Sequence, residues 1–116
     1  MGTLGALAAG GVVGTFARGA ANWVFNSPLN TLCVNLFGCF LIGLFDASLT
    51  RRGASAHMRL LLITGFCGAF TTFSALVFEA DAMLRESPSR ALGYVLLSLA
   101  AGLGLLRLGA LIGARA

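Results

Sequence analysis

Four long apolar stretches decide what this chain can become. They lie at about residues 4–25, 31–49, 59–84 and 90–113, separated by short polar connections. Each meets the ~20-residue length that a helix rising 1.5 Å per residue needs to cross roughly 30 Å of hydrocarbon. Charged residues make up 10% of the chain, 58% is hydrophobic, and the mean hydropathy is +0.91. A soluble domain carries roughly a quarter charged residues to cover its surface, so the solvent here must be lipid. The first stretch lacks a basic leader, and Arg18 followed by Trp23 and Asn26 does not resemble a cleavage site, so it reads as a retained span. The expectation is an all-α membrane protein, one four-span domain over residues 1–116.

The formal net charge of +4 comes from arginine alone. These arginines are dispersed near span ends, which excludes a nucleic-acid patch. An even number of spans puts both termini on one side, together with Arg51, Arg52, Arg59 and Arg115. Arg85 and Arg90 fall on the other, which Arg18 approaches from within span one. The positive-inside rule then gives a slight excess toward a cytoplasmic N terminus, a bias compatible with insertion in both orientations. Cys33, Cys39 and Cys67 lie inside apolar spans without metal-ligand spacing and read as small apolar residues. Gly10 with Gly14, and Gly109 with Gly113, form GxxxG pairs that allow close helix packing. The connections run Phe25 to Asn30, Arg51 to His57 and Glu86 to Ser89; Ser87 or Ser89 can cap the last helix beside Pro88.

Span three holds the most unusual run, Gly65-Phe66-Cys67-Gly68-Ala69-Phe70-Thr71-Thr72-Phe73-Ser74. Glycine costs roughly 1 kcal/mol against Ala in a helix, and Thr and Ser compete for backbone hydrogen bonds. A helix broken near the membrane centre needs protein or a polar cavity to satisfy its backbone. Its free carbonyls and amides are the ingredients of a midplane ion site. The competing reading is a continuous helix with a Gly/Thr packing face. Span two carries Asn35 at depth with Thr31 four residues before it, and span four carries Tyr94 and Ser98 at the same spacing. Three spans thus offer hydroxyls and amides without a paired acid and base, a chemistry suited to replacing water around a small anion. Phenyl ring edges, as at Phe70 and Phe73, carry positive quadrupole and can face an anion. Glu79 is a carboxylate beyond Ser74, with Asp81 further on; it is either a proton-coupling group or an acid solvated near a vestibule or capped by hydroxyls.

Three segments resemble the Fluc (CrcB) fluoride channel family in order and spacing, over essentially the whole chain. They are Gly11 to Arg18, Thr31 to Gly38, and Gly65 to Ser74 with Glu79 following. The resemblance implies a fluoride-selective channel that passively exports fluoride entering an acid-exposed microbe as HF, conferring fluoride resistance from its plasma (inner) membrane. It implies an antiparallel, dual-topology dimer with a second copy of the same chain, two pores, and a structural sodium ion at the interface. Asn35 matches the pore-lining asparagine of that family and Phe73 the first of two pore phenylalanines. Ser74 and Thr31 belong to the same fluoride pathway, and Tyr94 and Ser98 resemble the hydroxyl track of span four. Arg18 matches the vestibule arginine. Gly68 and Thr71 match the positions whose backbone carbonyls hold sodium, four ligands from two subunits. The second pore phenylalanine is replaced by Leu76, Phe78 is two residues further on, and Gly102 stands where another hydroxyl of the track is expected.

The runner-up reading is a small multidrug-type, proton-coupled exporter, for which Glu79 is the available carboxylate. A non-conducting assembly subunit held together by its glycines is the third.

Overall fold

The structure, a computed structural model, describes residues 2–24 and 27–115. Phe25 and Asn26, in the first expected connection, lie outside the described residues. Every regular element is helical among those described: α1 (Thr3–Val24), α2 (Pro28–Arg52), α3 (Ala56–Arg59), a π-helical stretch (Leu60–Cys67), α4 (Gly68–Phe70), α5 (Phe73–Glu86) and α6 (Pro88–Arg115). Four stretches are long and apolar enough to cross a membrane: Thr3–Val24, Pro28–Arg52, Ala56–Glu86 and Pro88–Arg115, of 22, 25, 31 and 28 residues. Helix continues past the apolar runs of spans two, three and four because the terminal turns carry the polar residues that reach the interface, such as Arg51 and Arg52 in the last turn of α2.

Local chemistry sets the boundaries. Pro28 opens α2 after the extended Ser27, where its missing N–H costs nothing. Gly53 closes α2 in the left-handed conformation at φ 62°, which lets Ala54 N–H reach back 2.9 Å to the Leu49 carbonyl. Ser55 caps α3 by accepting from Met58 N–H. Of the two candidate caps for α6, Ser87 takes the role: its Oγ accepts from Arg90 N–H at 3.4 Å, with Pro88 at the first helical position.

Two helix pairs carry the bundle. α1 lies on the π-helical stretch so closely that a Cβ on Gly10 would meet the Leu61 carbonyl oxygen at 2.0 Å, and one on Gly14 the Phe66 oxygen at 2.3 Å. α2 lies equally close to α6, where a Cβ on Gly109 would meet the Phe40 oxygen at 2.1 Å and one on Gly43 the Leu106 oxygen at 2.0 Å. Backbone-to-backbone packing of this kind replaces the hydrophobic drive that lipid does not supply. Both GxxxG pairs therefore sit at contacts. The buried core is narrow: Ala6, Val34, Cys67, Phe70, Leu76 and Ala91. Phe70 stacks on Phe66 at 5.7 Å and meets Phe37 edge-on at 6.1 Å, so its ring is a packing element. Large apolar side chains such as Phe16, Trp23, Phe78 and Leu103 point outward, as a lipid-facing surface requires.

Three ion pairs form among the described residues. Arg59 pairs with Asp46, while Arg85 pairs with Asp81 and Arg90 with Glu86 one helical turn apart. Arg107, late in α6, adds a further cation to the end that holds Arg51, Arg52 and Arg115.

Candidate functional site

The centre of the site is a two-residue departure from helix. α4 ends at Phe70; Thr71 (φ −83°, ψ 159°) and Thr72 (φ −148°, ψ 116°) are extended; α5 begins at Phe73. The threonines leave the helix, whereas Gly68 keeps helical dihedrals at φ −62°, ψ −37°. Glycine's low propensity did not decide the position here. What did is a set of competing hydrogen bonds around the Thr pair.

Asn35 of α2 provides most of them. Its Oδ1 accepts from Thr72 N–H at 2.7 Å and its Nδ2 donates to the Thr72 carbonyl at 3.0 Å. One side-chain amide thus pairs with an extended residue as a neighbouring strand would. Thr72 then caps α5, its Oγ1 accepting from Ala75 N–H at 3.2 Å. Thr71 Oγ1 donates back to the Cys67 carbonyl at 2.9 Å. Gly38 makes room, because a Cβ there would stand 2.1 Å from Thr71 Cγ2.

These bonds have a consequence for two carbonyls. In an uninterrupted helix Thr72 N–H would bond to the Gly68 carbonyl and Ala75 N–H to that of Thr71. Both donors are diverted, the first to Asn35 and the second to Thr72 Oγ1. The Gly68 and Thr71 oxygens are left without their helical donors. Gly68 is exposed and Thr71 half-buried.

Three of the expected pathway residues, Asn35, Phe73 and Ser98, line one cavity of about 210 Å³ together with Cys39, Thr72 and Leu76. Phe73 is 75% exposed in the single chain, so its ring projects from the fold and is not packed within it. Ser98 Oγ donates to the Tyr94 carbonyl one turn back at 2.8 Å. A Cβ on Gly102 would meet Cys39 Sγ at 3.3 Å, so a hydroxyl side chain there would crowd α2.

Thr31 and Tyr94 are brought together elsewhere, around Glu79. Thr31 Oγ1 donates to Glu79 Oε1 at 2.6 Å and the Tyr94 hydroxyl donates to Oε2 at 2.7 Å. Helices α2, α5 and α6 meet at this carboxylate, and the two hydroxyl protons point at it. The hydroxyl-capped acid is the arrangement found. Ser74 is exposed and lines neither group, but its Oγ lies 3.3 Å from Oγ1 of Thr72, which borders the Phe73 cavity.

Arg18 lines a second cavity of about 260 Å³. Thr15, Gly19 and Asn22 share its stripe of α1, and Asn30, Thr31 and Val34 face them from α2. Thr72 borders both this cavity and the one lined by Phe73. Sequence reasoning missed three features: the double role of Thr72, which hydroxyls cap Glu79 (the cap itself was one of its alternatives), and the amide pair Asn22–Asn30. Thr72 carried a legible signal, a Thr directly before a helical run. The other two join residues 48 and 8 positions apart and had none.

Comparison with known proteins gives a consistent match. The family model described as "CrcB-like protein, Camphor Resistance (CrcB)" matches residues 5–110. A protein of Prosthecochloris aestuarii named "Fluoride-specific ion channel FluC" is 41% identical over 108 residues, 87% of this chain and 84% of that one. One of the same name from Rhizobium etli is 41% identical over 106 residues, covering 85% and 82%. "Fluoride-specific ion channel FluC 1" of Mycolicibacterium paratuberculosis is 42% identical over 111 residues, covering 86% and 81%.

Proposed function

The chain belongs to the CrcB family, and on that footing we propose that it is a fluoride-selective channel of the microbial inner membrane, exporting fluoride passively and conferring resistance to it. The near-complete family match over residues 5–110 carries this reading. A channel makes and breaks no covalent bond, and the protein is not an enzyme.

The geometry fits the task. Fluoride is small and strongly hydrated, so a pathway for it must replace water with donors yet let the ion leave. Arg18, half-buried in its cavity, raises the local anion concentration without sealing the route. Asn35, Phe73 and Ser98 then offer an amide, a ring edge and a hydroxyl around one cavity. The Ser98 proton must leave the Tyr94 carbonyl to serve the ion. Thr31 and Tyr94 act through Glu79, which fixes both hydroxyls and repels anions from its own position. Leu76 gives this chain one phenyl per subunit at the point where the family pattern has two.

The third span works as a broken helix, and the break as the place where two antiparallel copies meet. Supporting this, Phe73 and Gly68 lie exposed on the single chain, and a half-lined cavity beside Phe73 needs a second wall. The carbonyls of Gly68 and Thr71 suit a structural sodium ion at that interface, because their helical donors are diverted. A hard cation takes oxygen ligands; when bound, it supplies positive charge that holds the two breaks together.

The test is ion flux from proteoliposomes loaded with potassium fluoride or potassium chloride. Fluoride is expected to leave rapidly and chloride hardly at all. Equal fluxes of the two ions would refute selectivity.

A further inference from the structure

The chain has more cations than it can pair: eight arginines against four carboxylates. Each carboxylate is engaged, Asp46 by Arg59, Asp81 by Arg85, Glu86 by Arg90, and Glu79 by the hydroxyls of Thr31 and Tyr94. Arg51, Arg52 and Arg115 lie in the last turns of their helices, where water and headgroups solvate them. Arg107 has no such place. It is exposed, and it forms none of the ion pairs found among the described residues.

Its depth makes that costly. α6 has 28 residues, about 42 Å of helix, against ~30 Å of hydrocarbon and ~40–45 Å with both headgroup layers. Centred in the bilayer, it enters each headgroup layer by about 6 Å. Arg107 precedes Arg115 by about 12 Å of helix axis, which puts its Cα about 6 Å inside the hydrocarbon boundary. Gly109 presses on the α2 backbone, and Arg107 stands roughly 160° round the helix from it, on the face turned to lipid. A guanidinium there must reach toward the boundary and find a counter-charge.

The surface beside it offers both a route and an occupant. Arg107, Ala110 and Leu111 line a hollow of about 400 Å³, which lies one helical turn toward the headgroups. Ala110 is small enough to leave the hollow open, and exposed Leu111 gives it an apolar wall. A second copy of this chain has no spare side-chain carboxylate to bring, since its four are engaged in the same way. A soluble anion would have to leave water for hydrocarbon to arrive. A phospholipid already carries its phosphate to this boundary, with acyl chains that suit Leu111.

We propose that the outer face of α6 at Arg107 is a binding site for an anionic phospholipid, its phosphate paired with the guanidinium and an acyl chain lying along Leu111. The site is independent of the ion pathway and needs only that the chain spans a bilayer.

Native mass spectrometry tests it, counting the lipids that the full-length protein retains from micelles holding equal amounts of phosphatidylglycerol and phosphatidylcholine. In Arg107→Leu the ratio of retained phosphatidylglycerol to phosphatidylcholine is expected to fall at least roughly fivefold, what one arginine contributes at an anionic surface. Leu at a lipid-exposed position leaves folding intact, and circular dichroism checks it. Arg115→Leu removes the same charge at the helix end and is expected to move the ratio less. Inorganic phosphate added to the buffer should leave the wild-type ratio unaltered. A fall in Arg107→Leu no larger than in Arg115→Leu would reduce the site to general attraction by a basic end and overturn it. Displacement of the lipid by inorganic phosphate would overturn the choice of occupant. A changed oligomeric state in Arg107→Leu with an unmoved lipid ratio would give the face to a second copy, against the proposal.

Discussion

Replacing Asn35 by Leu tests whether a side chain holds the third span open. Leu has nearly the same shape but neither donor nor acceptor, so both bonds to Thr72 disappear. Side-chain hydrogen bonds between membrane helices average about 0.6 kcal/mol and reach about 1.7 kcal/mol. An unsatisfied buried backbone group costs about 1–3 kcal/mol, and here it is the N–H of half-buried Thr72, whose carbonyl, at the N-cap of α5, keeps the first intrahelical bond. The expected loss is therefore about 2–3 kcal/mol. Reversible unfolding in mixed detergent micelles, followed by circular dichroism, measures it. Fluoride flux should fall in the same variant, because Phe73 follows Thr72 directly and moves with it. A loss below about 0.5 kcal/mol, the ordinary range for a neutral surface change, combined with wild-type flux, would show that Asn35 does not brace the break.

Gly38→Ala drives a methyl toward Thr71 Cγ2, 2.1 Å away, and should cost about 1–3 kcal/mol as overpacking; adding Thr71→Ser, which deletes that methyl, should restore stability in the same unfolding assay. Glu79→Gln leaves one carbonyl oxygen for two hydroxyl donors, so fluoride flux should drop yet remain independent of a proton gradient; proton-driven transport lost in this variant would favour the exporter reading. Leu76→Phe fills part of the cavity shared by Asn35, Phe73 and Ser98, so flux should slow with unfolding changed by less than about 1.5 kcal/mol; unaltered flux would place that cavity off the route. Dialysis into sodium-free buffer should lower the unfolding midpoint of the protein in detergent, and sodium should not cross proteoliposomes alongside fluoride; an unchanged midpoint would count against the Gly68 and Thr71 carbonyls as its ligands.

The helices were legible because apolar length is a one-dimensional property, and so was the Ser87 cap beside Pro88, whereas Pro28 to Asn30 and Arg51 to Arg52, which read as connections, are helical. The packing partners of the glycine pairs were not, since GxxxG says that a backbone comes close but not which one. The π-helical winding of Leu60–Cys67, against which α1 packs closely, has no compositional mark. The run from Gly65 to Ser74 was visible as unusual, yet propensity pointed equally at glycines and threonines. Only the arrival of Asn35 from another helix selects Thr71–Thr72. Thr31 and Tyr94 illustrate the same limit. Their spacing was read as lines of donors facing an ion, but hydroxyl direction is set by the nearest strong acceptor, and that acceptor is Glu79 from α5.

The bonds that open the helix and the bonds that free its carbonyls are the same bonds. Asn35 takes the Thr72 N–H that Gly68 would have received, and Thr72 Oγ1 takes the Ala75 N–H that Thr71 would have received. A chain could not acquire two carbonyls without helical donors simply by inserting glycines, because a helix with glycines still satisfies itself. It needs competitors for specific amides, placed by a second helix and by the cap of the next. Asn35 is therefore tied to both proposed ions through one amide: its oxygen exposes the cation ligand, and its cavity-facing side borders the anion route. Changes at Asn35 should then shift sodium dependence and fluoride flux together, whereas changes at Ser98 or Leu76, which touch neither diverted amide, should move flux alone.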